Sequence, residues 1–143
     1  MNKIVCPYCG NKAVLSDSSV IYGKSYGQVY LCSNYPVCDA FVGVHKGSVK
    51  PLGTLANNEL RDLRKRAHNL FDRIWRDKEM SRNGAYRWLA DKMGLSRKQT
   101  HIAMFNESQC RQVIEIMKER TKDNVINRSM SKVLKVWKNK TSV

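Results

Sequence analysis

Four cysteines stand in two close pairs near the start of the chain, Cys6-Pro7-Tyr8-Cys9-Gly10 and Cys32-Ser33-Asn34-Tyr35-Pro36-Val37-Cys38. Thiolates bind zinc tetrahedrally, and a short loop between two of them brings both sulfurs to one ion. Gly10 suits the turn that must follow the second sulfur. Cys6, Cys9, Cys32 and Cys38 are therefore expected to hold one Zn2+. With four protein ligands its coordination is full, so the ion is structural rather than catalytic. Two disulfides or four unrelated thiols are the other readings. The stretch after Lys3 offers only Ile4 and Val5 before Cys6, which is no signal peptide, so an oxidising compartment is not expected. His45 lies near the set, but four ligands suffice without it, and a surface or phosphate-contacting role suits it better.

The elements that must position the sulfurs are short. Ala13-Val14-Leu15, Ser19-Val20-Ile21-Tyr22, Gln28-Val29-Tyr30-Leu31 and Ala40-Phe41-Val42-Gly43-Val44 read as strands. The polar run Ser16-Asp17-Ser18-Ser19, with Gly23 and Gly27, supplies the turns. Strands hung on two cysteine knuckles make a zinc ribbon over residues 1–50. So small a module cannot bury all its rings. Tyr8 and Tyr35 sit in the knuckles, and Tyr26, Tyr30 and Phe41 on strands, beside Lys24, His45 and Lys46. Exposed, these rings would stack on bases within a cationic rim, at roughly 1–3 kcal/mol per base. Turned inward, they would cover the knuckles and form the ribbon's core; both readings stay open for each tyrosine.

Residues 4–42, with Cys-Pro-x-Cys-Gly, Gly27 and Cys-Ser-Asn-Tyr-Pro-x-Cys, resemble the C-terminal zinc ribbons of bacterial type IA DNA topoisomerases. Those ribbons bind single-stranded DNA, and the resemblance implies the same here. A topoisomerase's catalytic machinery does not fit in 143 residues. A wider resemblance joins the ribbon to Val42-Gly43-Val44-His45-Lys46-Gly47, Pro51-Leu52-Gly53-Thr54-Leu55-Ala56 and the helices that follow, over residues 4 to about 120. It is to the zinc-finger-containing proteins of bacteriophages and prophages. That family has no assigned activity, so it bears on fold and origin, not on mechanism.

Lys50-Pro51-Leu52-Gly53 marks a boundary, after which helical periodicity takes over. A helical domain is expected over residues 54–120, giving an α+β chain. Leu60, Leu63, Ala67, Leu70, Phe71, Ile74 and Trp75 define the first helix, over about residues 57–78, with Asn57 or Thr54 as its cap. Arg61, Arg64, Lys65, His68 and Arg73 are left to its other faces. Ser81 caps a second helix that Gly94 ends. Ser96-Arg97-Lys98-Gln99 reads as a capping box opening a third. Leu89 to Ser96 resembles the centre of a helix-turn-helix, in which Arg97, Lys98, Gln99 and His101 would face a DNA groove; a plain helical hairpin is the other reading. Thr100 stands where such a motif wants an apolar residue. Asn106 with Gln109 caps a further helix packed through Cys110, Val113, Ile114 and Met117. Over residues 121–143, Ile126, Met130, Val133, Leu134 and Trp137 form one stripe of a basic C-terminal helix. That stripe could dock on the body, pair two chains or meet an anionic surface.

The chain carries 26 Lys and Arg against 12 Asp and Glu, a net of +14. Residues 1–50 contribute +3, residues 51–120 +6 and the last 23 residues +5. Four thiolates on one Zn2+ lower the ribbon to about +1. The sequence therefore divides into a nearly neutral, aromatic module and a strongly basic one. Such an excess points to an anionic partner, nucleic acid first and membrane surface second; that the nucleic acid is DNA is what the topoisomerase resemblance implies. No phosphate loop, carboxylate pair or Ser/His/Asp set stands out, so no catalytic residue is assigned and an enzyme is not expected. No run is long and apolar enough for a membrane span. The expectation is a non-catalytic nucleic-acid-binding protein of phage type, working in the bacterial host cytoplasm. The alternative is an interaction protein that captures a host enzyme or defence factor.

Overall fold

The computed structural model describes residues 4–141, with the side chains of residues 127, 128 and 131–141 outside that description. Three strands form one antiparallel sheet in the order β1-β2-β3: Ala13–Asp17, Gln28–Cys32 and Phe41–Gly43. Ala13 pairs with Cys32 and Leu15 with Tyr30, while Tyr30 pairs with Val42 on the other edge. The first knuckle is a small hairpin closed by the Val5–Lys12 bridge. Reciprocal bonds between Phe41 and Ala56 carry the pairing past β3 into the segment that precedes the first long helix. Cys6, Ala13, Cys32, Ala40 and Leu55 form the buried cluster under the sheet, with Ile4, Tyr30, Cys38 and Val42 against it. Cys6 and Cys32 are thus part of the core and Cys38 packs against it, while Cys9 is exposed. Val14 and Leu15 stay exposed because so small a sheet has no layer to cover them.

Residues 19–22, expected as a strand, form instead a single helical turn, α1 (Ser19–Tyr22). The Asp17 carboxylate accepts the Ser19 N–H at 2.8 Å, and Gly23, at φ 73°, closes the turn onto the Ser19 carbonyl. Local side-chain bonds of this kind compete with a sheet ladder and win here. Ser18, also in that turn, is buried and accepts the Tyr26 N–H at 2.7 Å.

The chain divides into two compact units: the residues up to His68 with His101–Cys110, and Asn69–Thr100 with the chain from Arg111 on. The first holds the ribbon and the start of α2 (Asn58–Arg76). Asn57 caps α2, accepting the Leu60 N–H at 3.0 Å. Leu60, Leu63 and Ala67 are buried at helical spacing. Arg64 and Arg61 do not lie on a solvated face. Arg64 is buried, donating to the Phe105 carbonyl at 3.0 Å, the Thr54 carbonyl at 2.8 Å and the Thr54 hydroxyl at 2.5 Å. Thr54 is therefore a partner of Arg64 rather than a cap. Arg61 donates to the Asp39 and Ala56 carbonyls and pairs with the Asp39 carboxylate at 3.4 Å. A Cβ on Gly53 would overlap the Ala103 carbonyl, so only glycine fits that close approach.

In the second unit, Ser81 caps α3 (Arg82–Met93) by accepting the Gly84 N–H, and Gly94 ends it at φ 68°. Phe71 and Tyr86 meet edge to face at 4.7 Å between ring centres. The Ser96–Gln99 capping box closes reciprocally, both bonds at 3.2 Å. No third helix follows it. Thr100 turns its hydroxyl onto the Ser96 carbonyl at 2.6 Å and is fully buried, and the chain makes only one turn there. The second helix that a helix-turn-helix requires is thus not formed. Ile102–Met104 is a 3-10 turn belonging to the first unit.

Asn106 and Gln109 exchange bonds at 3.0 and 2.9 Å to open α4 (Glu107–Thr141). Cys110, Val113, Ile114 and Met117 are buried along it. The helix expected after Asn106 and the basic tail helix are one element, because neither Gly nor Pro occurs between residues 107 and 141 to break it. Ile126 and Met130 are exposed, whereas Val133, Leu134, Trp137 and the lysines from Lys132 on lie outside the described side chains. Among the described residues no helix is long and apolar enough to cross a membrane.

Candidate metal centre and aromatic face

Cys6 and Cys9 sit on the first knuckle, where Gly10 at φ 74° bonds back to the Cys6 carbonyl. Cys32 ends β2, and the Cys38 N–H on the second knuckle is held by the Asn34 carbonyl. The four sulfurs all lie within 4.8 Å of one another. Cys6 Sγ is 3.6 Å from Cys38 Sγ, and Cys9 Sγ is 3.3 Å from Cys32 Sγ. A disulfide needs about 2.05 Å, so the thiols are not joined. Four sulfurs at about 2.3 Å from one ion would stand about 3.8 Å apart, and the cluster needs only small adjustments to reach that. All four ligands are soft thiolates and none is a carboxylate, a donor set that suits zinc. The ion supplies a covalent-strength cross-link between the two knuckles and nothing more.

The protons on the sulfurs are unequal before metal arrives. The Asn11 backbone N–H, with the Cys32 thiol beside it, holds Cys9 down to about 7. Burial pushes Cys32 up to about 12. Cys9 is exposed and about half thiolate at neutrality, whereas Cys32 must lose its proton to solvent for the metal to bind.

The tyrosines divide by role. The Tyr8 hydroxyl accepts the Asn57 N–H at 3.1 Å, tying the first knuckle to the cap of α2, and burial pushes its phenol up. Tyr30 is half-buried and donates to the Val49 carbonyl at 2.6 Å. Tyr35 is half-buried in the second knuckle. Tyr26 is 72% exposed, with the Lys24 ammonium 5.9 Å from its ring centre. Its other neighbour is Tyr22, 55% exposed, edge to face at 5.7 Å. Tyr22 meets Phe41 in the same way at 6.2 Å, and the Arg61 guanidinium lies 3.8 Å over Phe41. Three rings thus run in a strip with a cation at each end. Beside Tyr26 opens a cleft of about 800 Å³ lined also by Gln28, Val44, His45, Lys46 and Val49.

Lys24, Tyr26, His45 and Lys46 are therefore brought together on one face of the ribbon. Arg97, Lys98 and Gln99 lie in the second unit. There Arg97 stacks on Tyr86 at 4.6 Å and donates to Asn83, Gln99 is spent on the capping box, and Lys98 is exposed. His101 is exposed in an extended stretch of the first unit. Tyr22 and Arg61 were not expected at a stacking face, whereas Phe41 was one of its candidate rings. The signal for Tyr22 was present in Asp17 and Gly23, which bracket a helical turn and so place Tyr22 beside Tyr26.

A three-stranded ribbon carrying a four-cysteine cluster defines a zinc-finger protein whose metal is structural. The sequence matches a family described as a zinc-finger-containing domain over residues 2–120, and the chain belongs to that family. No curated protein and no solved structure matches it.

Proposed function

We propose that this chain is a non-catalytic nucleic-acid-binding protein that takes single strands, of DNA before RNA, on the aromatic face of its zinc ribbon. The observation that carries this reading is the strip of Tyr26, Tyr22 and Phe41 between Lys24 and Arg61. Two of its rings are more than half exposed, an expensive arrangement for a monomer unless bases cover them. The cleft beside Tyr26 has room for a nucleotide, with Lys46 and His45 at its wall to meet a phosphate. Zinc holds the strip in shape, and the basic helices add charge without reading sequence. Phage or prophage origin, kinship with topoisomerase ribbons and work in a host cytoplasm belong to the same reading and rest on sequence resemblance.

Fluorescence anisotropy with labelled oligonucleotides of about 15 nucleotides, near the upper site size of one small binding fold, tests it. Single-stranded DNA is expected to bind more tightly than the matching duplex, and more tightly than RNA of the same sequence. Neutralising about five phosphates gives a log–log salt slope near −3.5, roughly a hundredfold loss between about 50 and 200 mM salt. Absence of binding to single strands at the lower salt would overturn the reading.

A further inference from the structure

The second unit carries an apolar groove with no role in the reading above. Its floor is Leu70 of α2 with Met117, Val125 and Ile126 of α4, enclosing about 540 Å³. Val125 and Ile126 are each 56% exposed. Along α4 the lining recurs at residues 117, 118, 121, 122, 125 and 126, one face of the helix over about 14 Å. Arg73, Lys118 and Lys122 rim it, and among the described residues that line it there is no carboxylate. Lys118 is shared with Glu115 at 3.6 Å on an exposed pair that exchanges readily. A neighbouring cleft on the same floor, which Arg73 also lines, brings Asp77 and Glu79, the latter held by Arg120 at 2.7 Å, so the groove's own rim is cationic on both helices while the acids lie in the adjoining cleft.

We propose that this groove docks an acidic amphipathic helix of a partner protein. Its length matches about two and a half helical turns, and its apolar floor takes side chains at i, i+3, i+4 and i+7. The cations at its rim, Arg73 on α2 and Lys118 and Lys122 on α4, meet carboxylates on the flanks of the docked helix. A second copy of this chain is the wrong partner by charge, since each carries +14. A phosphate backbone would satisfy the cations but leave Leu70, Val125 and Ile126 facing water. The proposal does not depend on nucleic-acid binding by the ribbon.

The probe is a fluorescein-labelled, helix-forming peptide of about 18 residues, long enough to overreach the groove. It carries leucine along one helical face and glutamate elsewhere, and its control is a scrambled peptide of identical composition. The full zinc-loaded chain is expected to bind the patterned peptide at least tenfold more tightly than the scrambled one. Ile126→Glu and Lys122→Glu should each weaken that binding about tenfold, while Lys12→Glu, the same charge change on the exposed ribbon surface, should not. Ile126 and Lys122 are exposed, so circular dichroism should show both variants folded. Equal binding of the two peptides, or indifference to Ile126→Glu, overturns the proposal. So does a dimer in sedimentation that Ile126→Glu dissociates, or single-stranded DNA binding that the same substitution abolishes, because the groove then has another occupant.

Discussion

Cys6→Ser is expected to drop zinc content from one ion per chain to near zero and to unfold the ribbon. Cys6 is 1% exposed and lies in the same buried cluster as Cys32, so its loss removes a ligand and disturbs the core together. Zinc contributes about 10–16 kcal/mol in sites of this kind, as much as the whole stability of an ordinary domain. The remaining apolar cluster, built on residues as small as Ala13 and Ala40, cannot replace that. Limited proteolysis should then cut within residues 7–44, and a strong chelator should produce the same cuts in the unmodified chain until zinc is returned. Acid acts in the same direction. A proton on any of the four sulfurs removes a ligand, so zinc affinity falls as pH falls, and zinc uptake releases the proton that Cys32 holds at neutral pH. A metal-free chain that resists protease as well as the loaded one would contradict this.

Arg64→Met has the second largest expected effect. The substitution keeps most of the buried stem and removes every donor. The Phe105 carbonyl, the Thr54 carbonyl and the Thr54 hydroxyl then lose their partner. Phe105 is buried and its carbonyl left unpaired costs about 1–3 kcal/mol, whereas Thr54 is exposed and its two oxygens rehydrate, so a net loss of about 2 kcal/mol is expected in urea unfolding of the zinc-loaded chain. Arg64→Lys should not rescue it, because an ammonium cannot reproduce a planar fork reaching residues 54 and 105 together. This arginine fastens the linker after the ribbon and the segment before α4 to one helix.

These two residues also show what the sequence can and cannot reveal. The metal centre is legible because ligand type and spacing are dictated by the ion, whatever surrounds them. Helix ends are legible where a side chain closes its own turn, as Asn57, Ser81 and Asn106 do, or where a glycine takes the left-handed turn, as Gly94 does. Arg64 is not legible, because periodicity treats every arginine as solvent-facing, and the carbonyls it serves come from residues 10 and 41 positions away. Residues 19–22 mislead because Val-Ile-Tyr has the composition of a strand, while the deciding bonds come from Asp17 and Gly23 on either side. Ser96 misleads in the opposite way: its capping box forms, yet the Thr100 hydroxyl takes the Ser96 carbonyl and the helix does not propagate. The proposed face is only half visible. Lys24 and Tyr26 just precede β2, and His45 and Lys46 just follow β3, its antiparallel partner, whereas Arg61 reaches Phe41 from α2 through contacts with Asp39 and Ala56.

The division of labour between an aromatic ribbon and basic helices has one direct test. The affinity of the zinc-loaded Tyr22→Ala/Tyr26→Ala double variant for a single-stranded oligonucleotide should be measured across a salt titration beside the parent chain. Both rings are exposed, so folding and zinc content should be unchanged. Two lost stacking contacts at about 1 kcal/mol or more each predict a loss of about thirtyfold or greater, with the salt slope unaltered because neither ring carries charge. Unchanged affinity would contradict the account, and would mean that the strip does not meet the strand.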